Sequence, residues 1–128
     1  MKRLLLPFAF LLAFTFAPGA CVKAPPTLSP AGTAAFNALR VGHALDIVRD
    51  TANDANRQTP PLVSNAALLK IVNWHEAAVK TIVAVPGGWK PTVLTGLDQL
   101  KDEIPPDEWQ RVAIYVALLK TVISEVNP

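Results

Sequence analysis

From residue 29 onward the apolar positions repeat with helical spacing, and four segments separate at prolines and glycines. Ser29 and Pro30 form a helix start, a capping hydroxyl followed by a residue whose fixed φ suits the first turn. After them Ala34, Ala38, Val41, Leu45, Val48, Ala52 and Ala55 alternate steps of four and three, a heptad stripe that runs until Pro60 and Pro61. The outer face of this first helix reads Arg40, Asp46, Arg49, Asp50, Asp54 and Arg57, and the small residues in the stripe imply a close helix neighbour.

Ser64 caps a second helix whose broad apolar face comprises Leu68, Ile71, Val72, Trp74, Ala78, Val79, Ile82 and Val83, ending at Pro86-Gly87-Gly88. A third, shorter helix fits 91–104 on Val93, Leu97, Leu100 and Ile104. Pro105 and Pro106 stop it and open a fourth, with Asp107 and Glu108 in the first turn, where the helix dipole favours negative charge. The fourth seam is Trp109, Val112, Val116, Leu119, Ile123 and Val126, again in heptad steps, and Ile114, Leu118 and Val122 widen it. Strand patterning is poor throughout. Short linkers between helices favour antiparallel neighbours, so the expected fold is all-α, an irregular antiparallel four-helix bundle over 31–128.

The first thirty residues read differently. Lys2 and Arg3 precede an uncharged apolar run from Leu4 to Ala17, and Pro18, Gly19 and Ala20 break it with small side chains, the three parts of a secretory signal over 1–20. A permanent span needs about 20 apolar residues, which this run reaches only by including prolines and a glycine. Residues 21–30 hold three prolines and no hydrophobic period, the composition of an extended, unpaired tether. Exported, the chain belongs to a bacterial cell envelope, in the periplasm or at the outer membrane.

Cys21 is the only cysteine, so no disulfide framework can staple the domain. A lone cysteine directly after a signal resembles the lipobox of bacterial lipoproteins, on the residues Gly19-Ala20-Cys21; the chain departs from that pattern at Pro18, where the family usually has Leu. The resemblance implies acylation of Cys21, which becomes the new N-terminus and anchors the chain to a membrane, and Val22 after it implies outer-membrane sorting. The alternative is ordinary cleavage after Gly19, leaving a free thiol on a secreted chain.

Charge narrows the partners. Formal net charge is +2, but removing Lys2 and Arg3 with the signal leaves ten basic residues against ten acidic, interspersed along the chain. Nucleic-acid binding needs a basic stripe and a membrane-surface helix a basic amphipathic face; no cluster of Lys or Arg supplies either, so the expectation is no nucleic-acid partner and no basic membrane-surface helix.

Candidate chemistry is sparse. Pro86-Gly87-Gly88-Trp89 fits no phosphate loop, G-x-S-x-G is absent, a single cysteine rules out C-x-x-C-H, and His75-Glu76 fails the zinc motif H-E-x-x-H because Val79 stands at the second histidine. The two histidines fall at similar heights if the first two helices form a hairpin near residue 60, so His43 and His75, with Asp46 or Glu76, are the candidate metal or ligand position. Asp46, Asp50 and Asp54 line one face, but Arg49 and Arg57 are spaced to pair with them on the surface. Trp74 and Trp109 belong to apolar seams and Trp89 suits a plug at one end, leaving Trp89 and Tyr115 as aromatic candidates for ligand contact. No cofactor is implied and no catalytic set is assembled. The expectation is a non-enzymatic envelope module that holds to a membrane through Cys21 and docks another envelope protein or its own copy. The alternative is a small-ligand or metal binder at His43 and His75.

Overall fold

The computed structural model describes residues 23–126; the expected signal and Cys21 lie outside the described residues. Among those described there are five helices and no strand: α1 (Pro30–Asn56), α2 (Asn65–Ala84), α3 (Trp89–Glu103), α4 (Pro106–Trp109) and α5 (Ala113–Glu125). At 1.5 Å per residue α1 is about 40 Å long, the longest element. It starts where sequence chemistry places it, with Ser29 Oγ accepting from the Gly32 backbone N–H at 3.1 Å. α2 begins likewise, Ser64 Oγ accepting from Ala67 N–H at 3.2 Å. α3 begins at Trp89, two residues before the expected position.

The fourth expected helix is two helices. Between α4 and α5 the backbone tightens, with Arg111 N–H donating to Glu108 O at 3.1 Å and Val112 N–H to Trp109 O at 3.0 Å. Bonds of that i to i+3 kind set residues three apart in line. Trp109 and Val112 both turn into the core as a result.

α1 packs against both α2 and α5, and α2 also packs against α3. One apolar cluster fills the space between them, built on Val41, Leu45 and Val48 of α1, Ile71 of α2, Leu97 of α3 and Leu119 and Ile123 of α5. The expected seams of α3 and of the α4–α5 segment are buried throughout; in α1 the seam is buried from Val41 to Ala55, while Ala34 is exposed and Ala38 half-buried.

Arg40 corrects the reading of α1. Assigned to the outer face by its place beside the stripe, it is 4 % exposed, and its guanidinium bonds Glu125 Oε2 at 3.0 Å. α1 has two helical neighbours rather than one, so its buried face is wider than a single heptad stripe and takes in Arg40 and Ala44.

Polar contacts tie the ends. At one end Arg40 meets Glu125, and Lys90 Nζ donates to the Val126 carbonyl. At the other, Glu108 Oε2 accepts from both the backbone N–H and the hydroxyl of Ser64, each at 2.9 Å, while Lys70 reaches the Glu103 carbonyl at 3.1 Å. Midway, Lys120 of α5 lies 3.4 Å from Asp98 of α3. The described part of the tether is not wholly extended: Leu28 N–H donates to Pro25 O at 3.2 Å, closing a turn before α1.

Candidate functional site

The α1–α2 hairpin brings together His75 and Asp46. α2 carries His75 on its inner row between Ile71 and Ala78, where the imidazole is 6 % exposed. Its Nε2 lies 2.7 Å from Asp46 Oδ1, and that same oxygen is 3.3 Å from Arg49 Nη1. A carboxylate oxygen only accepts, so Nε2 carries the hydrogen in this contact. Arg49 also bonds Asp50, at 2.9 Å. The Asp50 bond and the two nearby carboxylates together hold the Arg49 guanidinium above its ordinary pKa. The imidazole is thus fixed in direction by a carboxylate that is itself held by a guanidinium. Such an orienting pair serves catalysis when a nucleophile lies on the far side of the ring; the helical neighbours of His75 on its inner row are aliphatic.

His43, the other expected member, is exposed on α1. It is Asp46, one turn further along, that meets His75. Among the described residues no group of three or more His, Cys, Asp or Glu side chains is placed to hold a metal ion. Of the aspartate row, Asp46 and Asp50 engage Arg49. The row's end at Asp54 is exposed, and Arg57 closes the helix, its backbone N–H donating to Asn53 O at 3.1 Å.

Trp89 and Trp109 are buried in the core, Trp89 at the start of α3 where the end-plug reading puts it. Trp74 packs against that core with part of its ring only. It is half-buried in the α2–α3 groove, and its indole Nε1 is enclosed without a hydrogen-bond partner. Gly96 of α3 makes room for it: a Cβ there would stand 3.3 Å from the ring atoms Cδ1 and Nε1. The groove beside the ring, about 440 Å³, is lined by Trp74, Thr81, Thr92, Thr95 and Gln99 among others. The signal for this contact was a glycine inside a helix, which usually marks a close approach.

A second groove separates α1 from α2 and is almost purely apolar. Leu39, Gly42, Val79, Ile82 and Val83 line about 430 Å³ of it. Leu39 is 74 % exposed and Val83 is 75 % exposed, high values for large aliphatic side chains. On α5, Ile114 is 73 % exposed with Tyr115 partly so, Leu118 is half-buried and Val122 is buried. A third cleft, about 550 Å³, lies where Lys23, Ala24 and Leu28 fold against Thr33, Asn37 and Arg40 of α1 and Glu125 of α5. None of the described helices is long and apolar enough to cross a membrane.

Compared with protein-family models, with curated proteins and with solved structures, the chain matches none.

Proposed function

We propose that this chain is an exported, lipid-anchored envelope protein whose helices form an irregular antiparallel four-helix bundle acting as a non-enzymatic docking module. Cys21 is the anchor, the signal over 1–20 is removed, and the folded part works at the membrane surface. The bundle reading draws support from the pairing of helix ends by Arg40–Glu125, Lys90–Val126, Lys70–Glu103 and Ser64–Glu108. Lys90–Val126 and Lys70–Glu103 each join one helix near its start to another at its finish, and Ser64–Glu108 joins the starts of α2 and α4, which an up-down-up-down order puts at one end.

The observation that carries the docking role is the outer face of α5. Ile114 is largely exposed, with the partly exposed Tyr115 beside it and the half-buried Leu118 one turn on. Burying a side chain of that size yields about 1.5–3 kcal/mol, so such a row offers a partner helix its anchoring positions. The partner is another envelope protein.

A metal or small ligand at His43 and His75 is the weaker reading. His75 is already bonded to Asp46, and His43 points to no partner of its own among the described contacts.

Two measurements test the proposal. Intact mass of membrane and soluble fractions from a native-like host is expected to show a chain beginning at Cys21 with acyl mass, in the membrane fraction. A photo-crosslinking residue at Ile114 in the same host is expected to capture a discrete heterologous band, while one at exposed Asn65 is not. An unmodified soluble chain removes the anchor. Absence of any band at 114, or a band of the dimer mass only, removes the docking role.

A further inference from the structure

The bundle's charges, interspersed in sequence, are segregated in space. Lys23 enters the fold beside Arg40 and Glu125, which fixes one end of the molecule: the start of α1, the end of α2, the start of α3 and the end of α5. Lys23, Lys80 and Lys90 gather there with the Arg40–Glu125 pair, and Glu76 stands one turn from Lys80 towards the middle of α2. At the opposite end Asp50, Asp54, Asp102, Glu103, Asp107 and Glu108 outnumber Arg57, Lys70, Lys101 and Arg111. The middle holds the paired groups, Asp46 with Arg49 and Asp98 with Lys120. The sequence hides this because antiparallel helices bring the start of one beside the finish of the next, so that residues forty or more positions apart share an end.

The positive end is also the apolar end. Leu39 and Val83 face each other across the α1–α2 groove, and Val85 and Leu28 add partly exposed side chains at the same end. Lys80 stands one turn from Val83 on α2. Exposed aliphatic side chains with lysines at the same end are the composition of surfaces that sit at the boundary of headgroups and acyl chains.

Chain geometry picks the occupant. Cys21 stands two positions before Lys23, and an extended chain covers at most about 7 Å over two positions. An acylated Cys21 therefore brings the lipid surface to this end and to no other. We infer that the entry end of the bundle docks on an anionic phospholipid surface, inserting Leu39 and Val83 into the headgroup boundary with Lys23 and Lys80 over lipid phosphates. This rests on the lipid-anchored reading, and it adds an orientation: the acidic end and the α5 row at Ile114 are held away from the bilayer, towards a partner.

The test uses the mature-length chain with Cys21→Ser, which removes the acyl group and leaves the face to act alone. Flotation with phosphatidylcholine vesicles is compared with flotation with vesicles also containing phosphatidylglycerol. Each lysine near an anionic surface is worth about 1 kcal/mol, a factor of about five in partitioning, so K23E/K80E is expected to lose more than tenfold of the binding to anionic vesicles. L39S/V83S is expected to lose binding as well, with the helical circular dichroism signal retained because both side chains lie on the surface. Equal binding to both vesicle types, binding to neither, or indifference to both double variants overturns the inference. So does a dimer in sedimentation that L39S/V83S dissociates, which gives the groove to a second copy. The anchor itself is read separately by intact mass of the unaltered chain, so a failed face and a failed anchor give different results.

Discussion

Asp46 and His75, twenty-nine residues apart, meet at 2.7 Å across the α1–α2 hairpin, and a single carboxylate oxygen serves both His75 and Arg49. The pair is asymmetric: the imidazole is enclosed, whereas the carboxylate is half open to water. Removing either partner therefore has a different cost. Asp46→Ala strands a buried donor and is expected to destabilise by about 1–2 kcal/mol, while Asp46→Asn keeps an acceptor and costs less. Asp46→Ala with His75→Leu removes donor and acceptor together and is expected to recover most of that loss. Urea unfolding of the parent, Asp46→Ala, His75→Leu and the double variant closes the cycle. An Asp46→Ala midpoint equal to the parent's means that water replaces the carboxylate and the bond contributes nothing.

Trp74 and Gly96 make a prediction in which the sign of an effect reverses. In a helix interior Gly→Ala is ordinarily favourable by about 1 kcal/mol. Here the added methyl would crowd the indole edge at 3.3 Å, so Gly96→Ala is expected to destabilise the parent chain. With Trp74→Ala in place the obstruction is gone, and the same substitution is expected to stabilise. Trp74→Phe should cost less than its loss of volume suggests, because it also removes a buried N–H that has no partner. Thermal unfolding of the double series decides it; a stabilising Gly96→Ala in the parent means that the ring swings aside freely.

Glu108 bonds both the backbone N–H and the hydroxyl of Ser64, and that hydroxyl caps α2. α4 is four residues long and has no sustained helical ladder of its own, so this carboxylate is its principal tie to the α1–α2 turn. Glu108→Ala is expected to cost about 1–3 kcal/mol, the loss of charged hydrogen bonds plus a loosened cap. Hydrogen exchange should quicken in the first turn of α2 and across α4, with the middle of α1 unchanged. A uniform quickening instead would show that the contact supports the whole fold rather than one corner.

Periodicity and punctuation carried much of the fold. Ser29, Ser64 and the proline pairs mark real boundaries, and the heptad seams of α3 and of the α4–α5 segment are buried as spaced. What periodicity could not carry was the number of neighbours each helix has. A stripe shows which face is apolar and is silent about a second contact, so it puts Arg40 outside, whereas the second neighbour, α5, encloses it against Glu125. The same holds for the break after Trp109, since an i to i+3 tightening leaves the apolar pattern almost unchanged. Helix heights bring His43, Asp46 and His75 to one level of the hairpin; one turn separates His43 from Asp46, and helix phase, not height, decides that Asp46 is the one that meets His75. A large aromatic on an apolar row is expected in the core, and Trp74 does pack against it in part; Gly96 across the groove makes room for the indole edge.

The α1–α2 contact supplies the last prediction. Ala52 is fully enclosed, and it belongs to the stripe whose small residues implied close approach. None of the grooves described above borders it, so Ala52→Leu must push neighbouring helices apart or force an unfavourable rotamer at about 1–3 kcal/mol. Leu45→Ala, in the same stripe, fails in the opposite way, by leaving an apolar void, at about 2–5 kcal/mol. The two defects should also differ in kind. Overpacking separates α1 from α2 and loosens the Asp46–His75 contact above it, so Ala52→Leu and Asp46→Ala should combine to less than the sum of their separate effects. Leu45→Ala leaves the helix spacing unchanged and should add to Asp46→Ala with little coupling. Full additivity of Ala52→Leu with Asp46→Ala would mean that the helices absorb the leucine locally, without moving apart.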